Sequence, residues 1–325
     1  MRVLQPASHA AVIPSPALGD SRMNALPQTP RRVAVLASHA LGDTLLLMVI
    51  VRNLQRHGIE VAVFGRAAHS LRDWFPDVDI RPLPDARQLP GVLEAWDVVL
   101  QMHAHQPVPN VDALHPRVRY VEALTEDPLN RPMLQRFAEF CEREFGVHDV
   151  GTHNGIVPLP GLQHRGHVRR VVIHPEASTL DKRWLPRRFL RLARRLERQG
   201  YDVAFVMSPD ELNRWSEPLL GRFAVHTFAN LNDLAAWVYE SGWFIGNDSG
   251  MGHLAANLGI PTLSLFRRRA VAQRWRPAWG NAHIVLPWQW VPTGRLKERF
   301  WRESLTCARV LSAFARMAKS EASSM

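Results

Sequence analysis

Three short stretches of this chain set polar or charged residues between an apolar run and a helix-forming run. The longest is Phe244-Ile245-Gly246-Asn247-Asp248-Ser249-Gly250-Met251-Gly252-His253-Leu254-Ala255-Ala256. A strand ends, a small polar turn follows and a helix starts, so free N–H groups and the positive end of the helix dipole point out of the turn, which suits a phosphate. Gly250 and Gly252 let a ligand approach the backbone closely. In a reading without function, Asp248 or Ser249 caps the helix and His253 bonds a neighbouring turn. The second stretch is His174-Pro175-Glu176-Ala177-Ser178-Thr179-Leu180-Asp181-Lys182-Arg183-Trp184-Leu185-Pro186. Lys182 and Arg183 there could neutralise a diphosphate leaving group, or be ordinary loop cations. The third is Leu41-Gly42-Asp43-Thr44, where Asp43 could take a proton from a hydroxyl if it faced a crevice, or act only as an N-cap. His103 and His105 follow another strand and could touch an acceptor, but two alternate histidines without a carboxylate partner make a poor metal site.

These residues need strands and helices to hold them. Val33 to Ala37, Ile59 to Phe64 and Trp96 to Met102 read as buried strands, with a helix from Thr44 to His57 and another from Arg131 to Phe145. After a linker at Gly151 to Gly166, the alternation repeats. Strands are expected at Val168 to His174, Tyr201 to Met207, Trp243 to Gly246 and Pro261 to Phe266. Helices are expected at Pro186 to Gln199, Glu211 to Leu220, Leu231 to Glu240 and Gly250 to Leu258. A last helix from Arg295 to Ala318 carries Trp301, Leu305, Ala308, Leu311 and Ala315 on one face. The pattern is two successive α/β halves, each with a parallel sheet, and loops at the carboxyl ends of such strands converge on a ligand crevice. The expected division is a disordered extension over 1–30, an N-terminal Rossmann-like domain over 31–160 and a C-terminal one over 161–294. Residues 295–325 are expected to form a helix that packs back toward the N-terminal domain.

Length and composition agree. A chain of 325 residues with 46% hydrophobic and 22% charged content can build two cores. Cys141 and Cys307 alone cannot make a disulfide framework, so the chain reads as belonging to a reducing compartment, the cytoplasm. No run reaches the length of a membrane-spanning helix, and Met1 to Pro30 lacks the continuous apolar stretch of a signal peptide. The net charge of +10 favours anionic partners such as phosphorylated ligands or an anionic membrane surface. No zinc finger, RNA-recognition signature or aromatic-basic interleaving accompanies the arginines, so nucleic acid is not expected. Most of the eleven Trp residues read as packing, with Trp275, Trp279, Trp288 and Trp290 as candidates for more.

Taken in order, Gly42-Asp43, Asp181-Lys182-Arg183-Trp184-Leu185-Pro186 and Asp248-Ser249-Gly250-Met251-Gly252-His253-Leu254-Ala255-Ala256 resemble the motifs of glycosyltransferase family 9, the lipopolysaccharide heptosyltransferases. The resemblance covers roughly residues 31 to 280. It implies two Rossmann-like domains facing across a cleft, glycosyltransferase type B, with an inverting, metal-independent transfer and no cofactor. It makes Asp43 the general base, Lys182 the phosphate-contacting lysine, and Asp248, Ser249, Gly250 and His253 the donor-binding turn. Gly42, Thr44, Arg183, Arg267 and His103 complete the candidate site. The implied donor is ADP-heptose and the implied acceptor the lipopolysaccharide core, on the inner face of the cytoplasmic membrane; a protein hydroxyl or a non-catalytic nucleotide-sugar-binding homologue are the alternatives. Two departures stand out. Phe266-Arg267-Arg268-Arg269 replaces the family's Phe-Gly-Pro-Thr, and Leu185 is inserted between Trp184 and Pro186. A nicotinamide oxidoreductase is disfavoured because no Gly-x-Gly-x-x-Gly follows Val33 to Ala37.

Overall fold

A strand apolar on both faces must be covered on both faces, which an all-parallel sheet flanked by helices provides. In the computed structural model, which describes residues 29–121, 131–215, 221, 223–288 and 300–324, two such sheets form. The first contains β1 (Arg32–Leu36), β2 (Glu60–Phe64), β3 (Asp79–Arg81), β4 (Val98–Gln101) and β5 (Val118–Tyr120), in the order β3-β2-β1-β4-β5. The second contains β6 (His167–His174), β7 (Asp202–Val206), β8 (Ala224–His226), β9 (Ser241–Asn247), β10 (Thr262–Leu265) and β11 (Ala282–Val285), in the order β11-β10-β9-β6-β7-β8. All pairings are parallel. In each sheet the chain starts in the middle, winds to one edge, then returns to build the other. The reversal falls between β1 and β4 in the first sheet and between β6 and β9 in the second.

Helix Leu41–Arg56 joins the halves. Leu45 through Val51 are all buried, a run with no polar face. A helix apolar all round needs neighbours all round. It packs on its own sheet, on helix Met133–Phe145 of its own half, and on helix Gly250–Asn257 of the other. One continuous apolar cluster therefore runs from Val33 and Leu47 to Phe244, Leu254 and Trp279. Each fully buried Leu or Val contributes about 1.5–3 kcal/mol, so this shared helix is a large part of what holds the halves together. Residues 151–166, without regular structure, are pinned as well: Asn53 exchanges two bonds with Gly151, Asn154 Nδ2 donates to Asn257 Oδ1 at 2.8 Å, and Trp279 Nε1 donates to Thr152 O at 3.0 Å.

Several expectations are corrected. The short edge strands β3, β5, β8 and β11 were not anticipated, because three or four partly polar residues become strands only when an inner strand offers a ladder. The helix expected over Glu211 to Leu220 is one turn, Pro209–Leu212, closed by a capping box between Ser208 and Glu211; residues 216–220 lie outside the described residues. The last helix does not return to the N-terminal half. It breaks at Leu305 and Thr306, and Cys307–Ser324 then packs on helix Pro186–Arg198 and β11. Its buried face is Val310, Ala313, Phe314 and Met317, which join the stripe of helix Pro186–Arg198 in the core that holds Trp243 and Phe205. The break shifts the helical phase, which is why Ala308 and Ala315 are exposed although the unbroken pattern put them inside. The first 28 residues, residues 295–299 and Trp290 lie outside the described residues. Among the described residues no helix is long and apolar enough to cross a membrane.

Candidate active site at the two switch points

Where a doubly wound sheet reverses direction, the loops on either side diverge and leave a crevice at the carboxyl ends of the strands. Both switch points open onto one cleft of about 1190 Å³ between the halves. The loops after β1 and β4 line one wall; those after β6 and β9 line the other.

On the first wall, Ser38 shapes the turn. Its hydroxyl accepts from Ala40 N at 3.1 Å and donates to Asp43 Oδ2 at 3.2 Å, and its carbonyl accepts from Thr44 Oγ1 at 2.9 Å. Helix Leu41–Arg56 is capped by the backbone of Ala40, so Asp43 sits inside the first turn. The N-cap reading of Asp43 is thus corrected, and its carboxylate reaches the cleft instead. His103, from the loop after β4, brings Nε2 to 3.4 Å from Asp43 Oδ2. Thr44 is buried and holds the turn without lining the cleft, and His105 is exposed outside it.

On the second wall, Lys182 Nζ lies 3.2 Å from Asp248 Oδ2. The lysine is the more open of the two, 39% exposed against 12% for the aspartate side chain. Asn247, fully buried, ties the two loops together: its Oδ1 accepts from Trp184 N at 3.0 Å and its Nδ2 donates to Pro175 O at 2.7 Å. Ser249 is the N-cap of helix Gly250–Asn257 by backbone conformation, but its side chain makes no capping bond; the hydroxyl turns to His174 Nδ1 at 3.5 Å. Ser249, Gly250 and Met251, which open that helix, line the cleft together with Lys182, and the N–H groups of a helix start beside a cation supply the electrostatics an anion requires. His253 is buried one turn further along. Burial pushes its pKa down, against the opposing pull of Asp248 and Asp43, so the ring is neutral at neutral pH.

Several contacts in and behind the cleft wall were not assigned by sequence reasoning. His174 Nε2 lies 3.4 Å from Glu211 Oε2. Burial raises the Glu211 pKa, but the hydrogen bond and charge of His174, with the Ser208 backbone and hydroxyl, outweigh it and hold the carboxyl at about 2. Glu176 gathers Arg183 at 3.0 Å, Arg214 at 3.4 Å and Trp215 Nε1 at 2.8 Å, so Arg183 lines the cleft with its charge already matched. Met207, Phe228 and Leu234 add apolar surface to the lining of the cleft. No local motif marks these residues; only the capping pair Ser208 and Glu211 had a readable spacing.

Arg267 is not brought into the site. Its guanidinium binds the Asp181 carboxylate on the outer side of the lysine loop, and none of Arg267, Arg268 and Arg269 lines the cleft; Val271 and Trp275 do. The segment 301–305 braces the same loop, with Trp301 Nε1 donating to Asp181 O and Trp184 Nε1 to Leu305 O, both at 2.9 Å. Among the described residues, no group of three His, Cys, Asp or Glu side chains is arranged to hold a metal ion.

Comparison with known proteins agrees with this architecture. The structure of a glycosyl transferase family 9 protein from Veillonella parvula superposes with a TM-score of 0.71 at 17% identity, covering 90% of this chain and 99% of that one. E. coli heptosyltransferase WaaC with ADP-2-deoxy-2-fluoro heptose gives 0.65 at 16% identity, covering 88% and 99%. Lipopolysaccharide heptosyltransferase 3 of Escherichia coli (strain K12) is 33% identical over 106 residues, a match that spans 30% of either chain. The model of glycosyltransferase family 9 (heptosyltransferase) matches residues 118–297, more than half of the sequence and the whole of the Lys182 and Asp248 wall. With two doubly wound sheets opening onto a single cleft, this chain belongs to glycosyltransferase family 9.

Proposed function

We propose that the protein is an inverting glycosyltransferase that moves heptose from ADP-heptose to an acceptor hydroxyl, with the lipopolysaccharide core as the acceptor. One observation carries the reading: a carboxylate, Asp43, and a lysine beside the start of helix Gly250–Asn257, Lys182, line one cleft from opposite halves. A single-displacement transfer needs a base on one side of the sugar and a site for the departing diphosphate on the other. Asp43 takes the proton of the acceptor hydroxyl while that oxygen bonds to the anomeric carbon. The bond from this carbon to the diphosphate oxygen breaks, the configuration inverts, and ADP leaves with its charge met by Lys182 and the amides that open helix Gly250–Asn257. To do this Lys182 exchanges Asp248 for the phosphates, and Asp248 becomes free to accept from a sugar hydroxyl. The adenine packs on the apolar lining that Met207, Phe228 and Leu234 supply. The relative solved with an ADP-heptose analogue supports the choice of donor.

The test is a thermal-shift comparison of ADP, UDP, GDP and NAD, followed by a transfer assay with ADP-heptose and core acceptor. ADP should raise the melting temperature most, since a ligand that binds only the folded state stabilises it by mass action. A larger shift with UDP or GDP would change the donor, and one with NAD alone would overturn the reading.

A further inference from the structure

The positive charge of this chain is confined to one half. Residues 161–325 contain 25 Lys and Arg against 13 Asp and Glu, whereas residues 1–160 contain 15 against 17. Within the basic half, helix Pro186–Arg198 carries six arginines, no lysine and one carboxylate, Glu197. Its apolar stripe, Phe189, Leu190, Leu192, Ala193 and Leu196, is buried against the second sheet. Arg187, Arg191, Arg194 and Arg198 recur at i, i+4, i+7 and i+11, which stacks them on one exposed stripe, with Arg195 exposed beside it. None of these five pairs with a carboxylate among the described residues. Like charges at this spacing repel, so the helix gains when an anionic surface covers it. Arg316 and Lys319 of the neighbouring helix Cys307–Ser324 are exposed as well.

Large apolar side chains stand exposed in the same half. Leu180 is 69% exposed, Trp288 49% and Phe300 45%. Leu180 is tied to the segment that Phe300 opens, since the guanidinium of Arg302 holds the Leu180 carbonyl. Trp288 lies under Arg309, 4.5 Å from ring centre to guanidinium carbon, on the Cys307–Ser324 side. Exposed arginines together with an exposed Trp, Phe and Leu in one half match a bilayer interface, where the cations meet headgroup phosphates and the apolar groups enter the acyl boundary. A nucleic acid would satisfy the arginines and leave those three side chains in water. The other arginine-rich helix, Met133–Phe145, offers no such face: Arg131 pairs with Glu139, Arg143 with Glu144, and Arg136 is buried.

We propose that the C-terminal half carries a membrane-docking face, in which the exposed arginines of helix Pro186–Arg198 bind anionic lipid headgroups and Trp288, Leu180 and Phe300 anchor its rim. Leu180 lies two residues from Lys182, so the docked face borders the donor wall of the cleft. The proposal rests on charge and exposure alone and does not depend on the transfer chemistry.

Co-sedimentation tests it, with vesicles of pure phosphatidylcholine and of equal parts phosphatidylcholine and phosphatidylglycerol, at low and high salt. The protein should bind only the mixed vesicles and be released by salt. Each basic residue near such a surface strengthens binding roughly fivefold. The triple variant Arg191→Gln, Arg194→Gln, Arg198→Gln should therefore bind about a hundredfold more weakly. Arg87→Gln, on an exposed site of the other half, should bind like the parent. Melting temperatures of all three report on folding; if the triple variant melts early, the pair Arg194→Gln, Arg198→Gln should still weaken binding more than tenfold. Equal binding to neutral vesicles overturns the proposal, as does an equal loss in Arg87→Gln. Retention of duplex DNA at a salt concentration that frees the protein from vesicles would assign the face to nucleic acid instead.

Discussion

Gly250 and Gly42 meet backbone to backbone across the cleft floor: a Cβ on Gly250 would fall 2.8 Å from the Gly42 nitrogen and 2.9 Å from Leu41 Cβ. Helices Leu41–Arg56 and Gly250–Asn257 thus touch at their first turns, and the absence of two side chains sets their separation. A Cβ on Gly42 is less demanding, with His253 Cδ2 at 3.2 Å and Gly250 Cα at 3.4 Å. Gly250→Ala should therefore destabilise the protein by about 1–3 kcal/mol and Gly42→Ala by less. Chemical denaturation of both variants checks the order; equal stabilities would mean that the halves are free to part at this contact.

Asp43→Asn should lower kcat by about 10²–10⁴-fold and leave ADP affinity unchanged, because the base acts on the acceptor and not on the nucleotide. His103→Ala should cause a smaller fall in kcat, since the imidazole touches the carboxylate at 3.4 Å and only orients it. Steady-state kinetics beside calorimetric ADP titration separates the two effects. Full turnover in Asp43→Asn would reduce Asp43 to a helix residue.

Lys182→Ala should weaken ADP binding at least tenfold, most at low salt where the lost charge is least screened. The reason is double: a cation is removed, and Asp248 is left facing the diphosphate without its partner at 3.2 Å. Adding Asp248→Asn to Lys182→Ala should restore part of the ADP affinity, as removal of an unpaired buried charge does. Titration calorimetry of the single and double variants reads this directly, and an unaltered affinity in Lys182→Ala would take the lysine out of the site.

Glu211 is held at about 2 against an ordinary value of 4.5. A depressed carboxyl stabilises the fold above its unfolded pKa, and that contribution is lost as pH falls from about 4.5 through about 2. Water at the cleft edge screens part of it, which leaves about 1–2 kcal/mol. Glu211→Gln should thus be less stable than the parent by this amount near pH 6, with the gap closing toward pH 2. Urea titrations across that range measure it; a gap independent of pH would assign the loss to the capping box alone.

How much of this was legible beforehand follows from where each constraint resides. The inner strands β1, β4, β6 and β9 are short apolar runs because parallel strands are buried on both faces, and that burial is written residue by residue. That Asp43, Lys182 and Asp248 would lie at the cleft was legible for a related reason: each follows an inner strand and precedes a helix, a local pattern. The edge strands were not, since β8 and β11 exist only through pairing with β7 and β10. Nor were the contacts that tune the site. Glu211 meets His174, and Glu176 meets Trp215, through loops of different strands, and no local rule ties those positions together.

The chain by itself determined that two wound halves form, and which loops crown them, because hydrophobic period and helix-start residues are local properties. It pointed to a last helix over Arg295 to Ala318 with one apolar stripe, of which the structure has a broken and phase-shifted version in Cys307–Ser324. Which core that stripe would enter, whether Arg267 would point at the ligand or at Asp181, and how closely Gly42 and Gly250 approach were decided by the tertiary structure. A stripe or a charge states what a side chain needs, and several surfaces of one molecule can meet that need; only packing selects among them.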